Sequence, residues 1–143
     1  MKCSELMIGD YVKYQGHIYI VEEISAKGWV HLIHSETRTR VSMASDYIID
    51  LLEPIPLTPE ILEKNGFKVD GYAILNLQDD KWLEYYFHEH RFSMYYEGID
   101  EWQNHSQVRD VVYRSQPFYV HEMQHCLRLC CLNDLADNFK LEK

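Results

Sequence analysis

The sequence has few of the residues that bind nucleic acid and none of the features that mark a membrane-spanning or secreted protein. Lysine and arginine number 14 against 23 aspartates and glutamates, so the formal net charge is −9 over 143 residues. A surface of that sign repels phosphate backbones, and we expect no nucleic acid partner. The chain has no apolar run near the roughly 18 residues that cross a bilayer, and its opening residues lack a signal peptide's apolar segment. We therefore expect a cytoplasmic protein that does not engage a membrane.

Cysteine is scarce as well, with four residues in the chain. Three of them cluster at Cys126, Cys130 and Cys131, and neighbours on one helix cannot cross-link distant segments. We predict reduced thiols rather than a disulfide framework. What the chain does have, 46% hydrophobic and 13% aromatic residues, is the composition of one ordinary folded unit or two very small ones.

Short alternating stretches broken by turn residues fill the first third of the chain. Residues 11–14, 18–24, 29–33, 39–43 and 47–52 alternate apolar with polar positions, which is typical of β-strands. Five such strands in about 50 residues are too few for a two-layer sandwich, so the sheet must curl on itself to cover its apolar face. The pattern therefore predicts a small SH3-like β-barrel as a first domain, residues 1–53.

A stiff connector and a well-marked helix follow. The two prolines of residues 54–56 fix φ and favour an extended chain, so we place the domain boundary there. Thr58 is positioned to cap a helix over residues 59–65, and Gly66 supplies the left-handed residue after its end. A second domain, residues 54–143, thus begins with this helix.

Alternation returns after the helix. Residues 72–77, 82–88 and 91–97 have a period of two and predict an antiparallel meander, with a further strand at residues 108–113. If residues 89–90 form a two-residue turn, one side of the central hairpin is entirely apolar. The pairs expected on that side are Phe87 with Phe92, Tyr85 with Met94, and Leu83 with Tyr96.

The apolar residues between Tyr119 and Cys131 share one arc of a helical wheel, which predicts a core-facing helix that ends near Leu132. We expect this arc to cover the apolar side of the meander. The whole sequence predicts an α+β protein in which an N-terminal SH3-like small β-barrel is followed by a helix, an antiparallel β-meander and a C-terminal helix.

One motif has a chemical interpretation. Residues 121–125 match H-E-x-x-H, in which two histidines four positions apart share a helical face and can bind Zn²⁺. On this interpretation His121 and His125 are metal ligands, and Glu122 is the general base that takes a proton from the metal-bound water. The protein would then be a zinc-dependent peptidase with zinc as its cofactor.

Other residues oppose that interpretation. A catalytic zinc needs a third protein ligand, but Arg128 stands at the glycine of the extended zincin motif and Cys131 at its third histidine. An upstream ligand such as His88 belongs to the wetter side of the predicted hairpin, opposite the side that the helix should cover. The alternative is an exposed polar helix face, with both histidines and the glutamate in water or in ion pairs and no cofactor.

Aromatic residues offer a candidate binding patch. Trp29, Tyr86 and Tyr95 are expected at exposed strand positions, and Trp102 lies in a stretch without clear periodicity. Aromatic patches on small barrels can stack on a nucleic acid base or bind a peptide. A small sheet protein with 11 tyrosines also uses aromatic rings simply to fill a shallow core, and both interpretations stay open.

Two blocks of the sequence resemble a group of small uncharacterised proteins of gut bacteria and their phages. Residues 56–67 match the pattern P-L-T-x-E-x-L-x-x-x-G-F, and residues 119–124 match Y-V-H-x-L-Q with Met123 in place of leucine. The opening at residues 9–12 has a looser likeness. In that group the position of Glu122 is often glutamine, so the resemblance implies that the zincin match is accidental. It implies a fold and an origin in a phage or mobile element, and no mechanism.

These observations together predict a non-enzymatic, small intracellular binding or accessory module that acts through protein surfaces. The alternative is the zinc-dependent metallopeptidase that uses His121, Glu122 and His125. A nucleic-acid adaptor is opposed by the net charge of −9.

Overall fold

Among the residues it describes, a computed structural model of the chain shows two antiparallel sheets and three helices, which confirms the predicted α+β class. The chain divides into two compact units. Unit 1 is Met1–Pro56 with Tyr119–His125, and unit 2 is Leu57–Phe118 with Cys126–Lys143. The structure describes residues 5–26, 28–44, 51–77, 81–99, 105–113 and 116–141.

Unit 1 contains a five-stranded antiparallel sheet in the order β4-β3-β2-β1-β5. Its core is a cluster of buried apolar side chains that alternate along the strands, as the period of two predicts. The strands are β1 (Tyr11–Tyr14), β2 (His17–Ile24), β3 (Trp29–His34), β4 (Arg40–Ala44) and β5 (Leu52–Glu53). The core residues are Leu6, Val12, Val21, Val30, Leu32, Met43 and Leu52.

The edges of this sheet are β4 and β5. No closed barrel is found in the part of the chain that the structure describes, so the expected SH3-like barrel is not confirmed. Most of the fifth predicted strand, residues 47–52, lies outside the described residues. What the structure does show is that β1 pairs with both β2 and β5.

Unit 2 begins with helix α1 (Pro59–Lys64), whose predicted caps are confirmed. The Thr58 hydroxyl accepts a hydrogen bond from the Ile61 backbone N–H at 3.3 Å. After the helix, Gly66 has a φ of 89°, and the Phe67 N–H donates to the Leu62 carbonyl at 3.1 Å. Phe67 is buried, so the chain turns back onto the helix as the sequence predicts.

The second sheet is an antiparallel meander in the order β10-β9-β8-β7-β6. The sequence predicted four of its strands and missed β6, a three-residue strand too short for a period of two to be recognised. The strands are β6 (Lys68–Asp70), β7 (Tyr72–Asn76), β8 (Lys81–Tyr86), β9 (Arg91–Ile99) and β10 (His105–Tyr113).

The predicted register of the central hairpin is wrong by two residues. Tyr85 pairs with Phe92 and Leu83 with Met94, because the turn has four residues, 87–90, and not two. Its last residue, His90, has a φ of 51°. Side chains alternate with a period of two, so a two-residue shift leaves each one on the predicted side of the sheet.

The C-terminal helix α2 (Val120–Leu129) is followed by a short helix α3 (Asn133–Asp137) that the sequence did not predict. Cys131 has a φ of 62° and its N–H donates to the Arg128 carbonyl, while the Leu132 N–H donates to the Leu127 carbonyl. This Schellman motif ends α2. The first residues of α2 group with unit 1, although the sequence placed the whole helix in the second domain.

Among the described residues, no helix combines the length and the apolar character needed to cross a membrane.

Candidate functional site

The distal segment, Tyr119–His125, begins α2 and contains the H-E-x-x-H motif. Its first contacts within unit 1 are with the connector: Tyr119 forms a β-bridge with Pro56, and the Val120 N–H donates to the Ile55 carbonyl at 2.8 Å. The stiff proline segment therefore holds the start of the helix by backbone hydrogen bonds.

Glu122 caps the start of this helix. One oxygen of its carboxylate accepts a hydrogen bond from the Tyr119 backbone N–H at 2.9 Å. This is the reciprocal half of a capping box, in which a glutamate at the third helical position satisfies the N–H of the residue before the helix. The candidate general base of the peptidase interpretation thus has a structural contact of its own.

Gln124 is fully buried and bonds to the chain just before β1. Its Oε1 accepts from the Tyr11 N–H and its Nε2 donates to the Gly9 carbonyl, both at 2.9 Å. The side-chain amide therefore presents one donor and one acceptor to a strand, as a neighbouring backbone would. Gln124 was not predicted as a site residue, because nothing local in the sequence links it to residues more than 110 positions away.

Asp10 and His125 form a second link between the distal segment and the start of β1. Asp10 is fully buried, and its Oδ2 accepts hydrogen bonds from His125 Nε2 and from the Met7 N–H, each at 2.7 Å. The His125 side chain is 25% exposed. When its imidazole is protonated, the pair is an ion pair; when neutral, it remains a hydrogen bond to a carboxylate.

His121 is 4% exposed, so the prediction that this side chain lies in solvent is wrong. Its ring stacks on Tyr119, with centroids 6.1 Å apart, and meets the edge of the His125 ring at 5.6 Å. Within the described residues, no three His, Cys, Asp or Glu side chains are grouped so that they could hold a metal. The side chains of the motif instead have structural contacts. His121 is buried, Glu122 caps the helix, and His125 bonds to Asp10.

A second candidate site lies on one side of the second sheet. We call it the aromatic face and define it as Tyr72, Trp82, Tyr86, Arg91 and Tyr95. The Tyr72 and Tyr86 rings stack with centroids 5.2 Å apart and planes 9° from parallel. The Arg91 guanidinium lies 4.4 Å from the Tyr86 ring centre on the same side, a cation–π contact.

The other aromatic pair of this face is Trp82 with Tyr95, stacked at 5.4 Å with planes 6° from parallel. Between the two stacks lies Glu84, whose buried carboxylate accepts a hydrogen bond from the Tyr86 hydroxyl at 2.7 Å. Desolvation, with the bond to Glu84, raises the pKa of the Tyr86 hydroxyl far above 10.0, its ordinary value. Desolvation also raises the pKa of Tyr95. Both hydroxyls therefore remain donors over the physiological range.

Of the four aromatic residues selected from the sequence, the structure brings two together, Tyr86 and Tyr95, and both are partly buried rather than exposed as predicted. Trp29 is 49% exposed on β3, in unit 1, and Trp102 lies outside the described residues. Tyr72, Trp82 and Arg91 were not predicted as members of the face. The period of two did contain a signal for these residues. Trp82 lies on the same side of β8 as Tyr86, and Arg91 lies on the same side of β9 as Tyr95. Tyr72 lies on β7, across the sheet from Tyr86.

Comparison of the chain with protein-family models, with curated proteins and with solved structures finds no match in any of the three.

Proposed function

We propose that this protein is a non-enzymatic binding module that engages another protein through the aromatic face. One observation carries the proposal: two stacked aromatic pairs and an arginine share one side of the second sheet. Tyrosine, tryptophan and arginine are the residues most enriched among those that dominate binding energy at protein interfaces.

The contacts within the face support this proposal because they fix the side chains before a partner arrives. Tyr86 is held by Tyr72 on one ring face, by the Arg91 guanidinium, and by its hydroxyl bond to Glu84. A side chain that is already ordered loses little rotamer entropy on binding. An ordered surface of this kind favours high affinity for a partner of matching shape over the ability to change shape for different partners.

The net charge of −9 supports a partner with a positively charged surface. Complementary charge raises the rate of association more than it lowers the rate of dissociation, and salt screens it over about 10 Å at 0.1 M. We therefore propose a basic protein partner whose association rate falls as ionic strength rises.

The proposal includes an SH3-like character for the first sheet. The pairing of β1 with both β2 and β5 supports it, because in a small barrel of five strands the first and last strands are also neighbours. This sheet presents Trp29, the other candidate of the predicted patch, on β3.

The contacts do not favour the zinc-dependent peptidase that uses His121, Glu122 and His125. Glu122 is bonded to the start of its own helix, and within the described residues no three His, Cys, Asp or Glu side chains are grouped so that they could hold a metal. A catalytic zinc needs three protein ligands, and a general base needs a carboxylate that faces the bound water.

A displayed library of cyclic peptides, panned on the immobilised full-length protein, tests the binding proposal. We expect most independently selected peptides to lose about tenfold or more in affinity for Trp82→Ala, which removes one ring of the aromatic face. The matched control is Trp29→Ala, which removes an exposed tryptophan from unit 1 and should leave those peptides bound. Peptides that tolerate Trp82→Ala and are lost with Trp29→Ala would move the binding surface to β3 and overturn the proposal.

A further inference from the structure

Two large apolar side chains project next to each other from unit 1, just before β1. Met7 is 43% exposed and Ile8 is 61% exposed, whereas Leu6 beside them is buried in the core. Single exposed apolar residues are ordinary on protein surfaces. Two adjacent ones at the tip of a turn are a more specific feature, and we call them the apolar turn.

The backbone of the apolar turn is fixed by local hydrogen bonds. The Asp10 N–H donates to the Met7 carbonyl at 3.1 Å, and the Met7 N–H donates to Asp10 Oδ2 at 2.7 Å. Gly9 has a φ of 94°, which an L side chain rarely adopts, so the glycine is required at the third position of this turn. The Gly9 N–H also donates to the Val21 carbonyl at 2.7 Å, which joins the turn to β2.

Two buried polar side chains, Gln124 and Asp10, hold the apolar turn in place by hydrogen bonds. Gln124 Nε2 donates a hydrogen bond to the Gly9 carbonyl, and the Asp10 carboxylate is hydrogen-bonded to His125 Nε2. Both Gln124 and Asp10 are fully buried, and burying polar groups costs free energy that only well-formed hydrogen bonds offset. The fold therefore holds the apolar turn in one conformation, with its apolar side chains exposed.

We propose that the apolar turn is a second docking element, which inserts Met7 and Ile8 into an apolar pocket with a basic rim on a partner protein. A fixed protrusion loses little entropy when it enters a pocket, and apolar side chains at the centre of an interface supply much of its energy. The chain carries a net charge of −9, so the rim of the pocket should be positive. Anionic membranes are disfavoured by the same charge.

This inference does not depend on the aromatic face. The apolar turn belongs to unit 1 and the aromatic face to unit 2, so each can fail separately. The variants that test them are also different.

The test uses a displayed library of repeat domains with randomised concave surfaces, selected on the full-length protein. Concave repeat surfaces suit a protruding turn. We expect binders that lose about tenfold or more in affinity for the double variant Met7→Ser, Ile8→Ser and recover with Met7→Leu, Ile8→Val. Because both side chains are exposed, thermal unfolding of the serine variant should match that of the wild type. These binders should be insensitive to Trp82→Ala.

Two results would overturn the inference. One is a set of binders in which none distinguishes the serine variant from the wild type. The other is binding of the wild type, but not of the serine variant, to vesicles of phosphatidylcholine with phosphatidylserine, which would assign the apolar turn to a membrane surface. An unchanged outcome for the aromatic face in either case would leave the proposed function standing.

Discussion

The carboxylate of Asp10 lies 2.7 Å from the imidazole Nε2 of His125, although 115 residues separate the two in sequence. The carboxylate is fully buried, so the donor that His125 provides cannot be replaced freely by water. We predict that His125→Ala lowers the free energy of unfolding by about 2 kcal/mol, because it leaves a buried charged acceptor with one donor fewer. Urea denaturation measures this change.

The matched control for that prediction is His88→Ala. His88 is exposed in the turn between β8 and β9, so its removal should change stability by less than about 0.5 kcal/mol. The double variant Asp10→Asn, His125→Ala should cost less than the sum of its two single changes, since each single change already breaks the pair. Strict additivity would show that the two residues do not interact.

Gln124→Ala should destabilise the protein more than a typical polar substitution. It removes a fully buried side chain and leaves the Gly9 carbonyl and the Tyr11 N–H without their 2.9 Å partners. We expect a loss of about 2 to 4 kcal/mol by chemical denaturation. Gln116→Ala, at an exposed glutamine, is the control and should be close to neutral. Equal effects of the two substitutions would contradict the bridging role of Gln124.

The sequence could predict those features of the fold that depend on short stretches of the chain, such as the side of a strand on which a residue lies. Period-two alternation assigned Tyr85 and Phe92 to one side of the sheet and Glu84 and Tyr86 to the other, and the structure confirms both assignments. The register was missed because it depends on the turn, where His90 takes a positive φ that its residue type does not announce.

The contacts of the distal segment were beyond prediction from one sequence. Helical periodicity identified its apolar arc, but the pairing of Gln124 with residues 9–11 follows from tertiary packing alone. The same limit applies to Asn65, whose buried amide bonds to both the N–H and the carbonyl of Lys140. In both cases a side-chain amide bonds to the N–H and carbonyl groups of a distant stretch of backbone, and no local pattern specifies which stretch that is.

Cys131→Gly should stabilise the protein. Cys131 occupies the left-handed position of the Schellman motif after α2, with a φ of 62°. A non-glycine residue there destabilises the folded state by roughly 1 to 2 kcal/mol, and glycine removes this strain. Glycine also raises the entropy of the unfolded chain, which offsets part of the gain, so we expect a net stabilisation of about 0.5 to 1 kcal/mol. The thermal midpoint should rise accordingly. Cys131→Val should lower it, since a β-branched residue fits this conformation least well.

Stability should decrease at alkaline pH because of the tyrosines beside Glu84. The pKa of the Tyr86 hydroxyl is raised in the folded protein by desolvation and by its bond to Glu84, whereas the unfolded chain titrates near 10.0. Above that pH the unfolded state binds fewer protons than the folded state, so the free energy of unfolding falls as pH rises. Urea denaturation from about pH 8 to about pH 11 should show this slope, and Tyr86→Phe should reduce it. A slope that is unchanged in both Tyr86→Phe and Tyr95→Phe would refute the assignment.

Thiol labelling should distinguish the two adjacent cysteines at the end of α2. Burial raises the pKa of the Cys130 thiol to about 11, and the neighbouring Cys131 adds to the shift, while Cys131 itself is exposed. At pH 8 about 0.1% of Cys130 is then thiolate, the reactive form, and this fraction should rise about tenfold per pH unit until the pKa is reached. Iodoacetamide labelling followed by peptide mass spectrometry measures each site separately. A Cys130 labelling rate that is independent of pH would contradict the prediction.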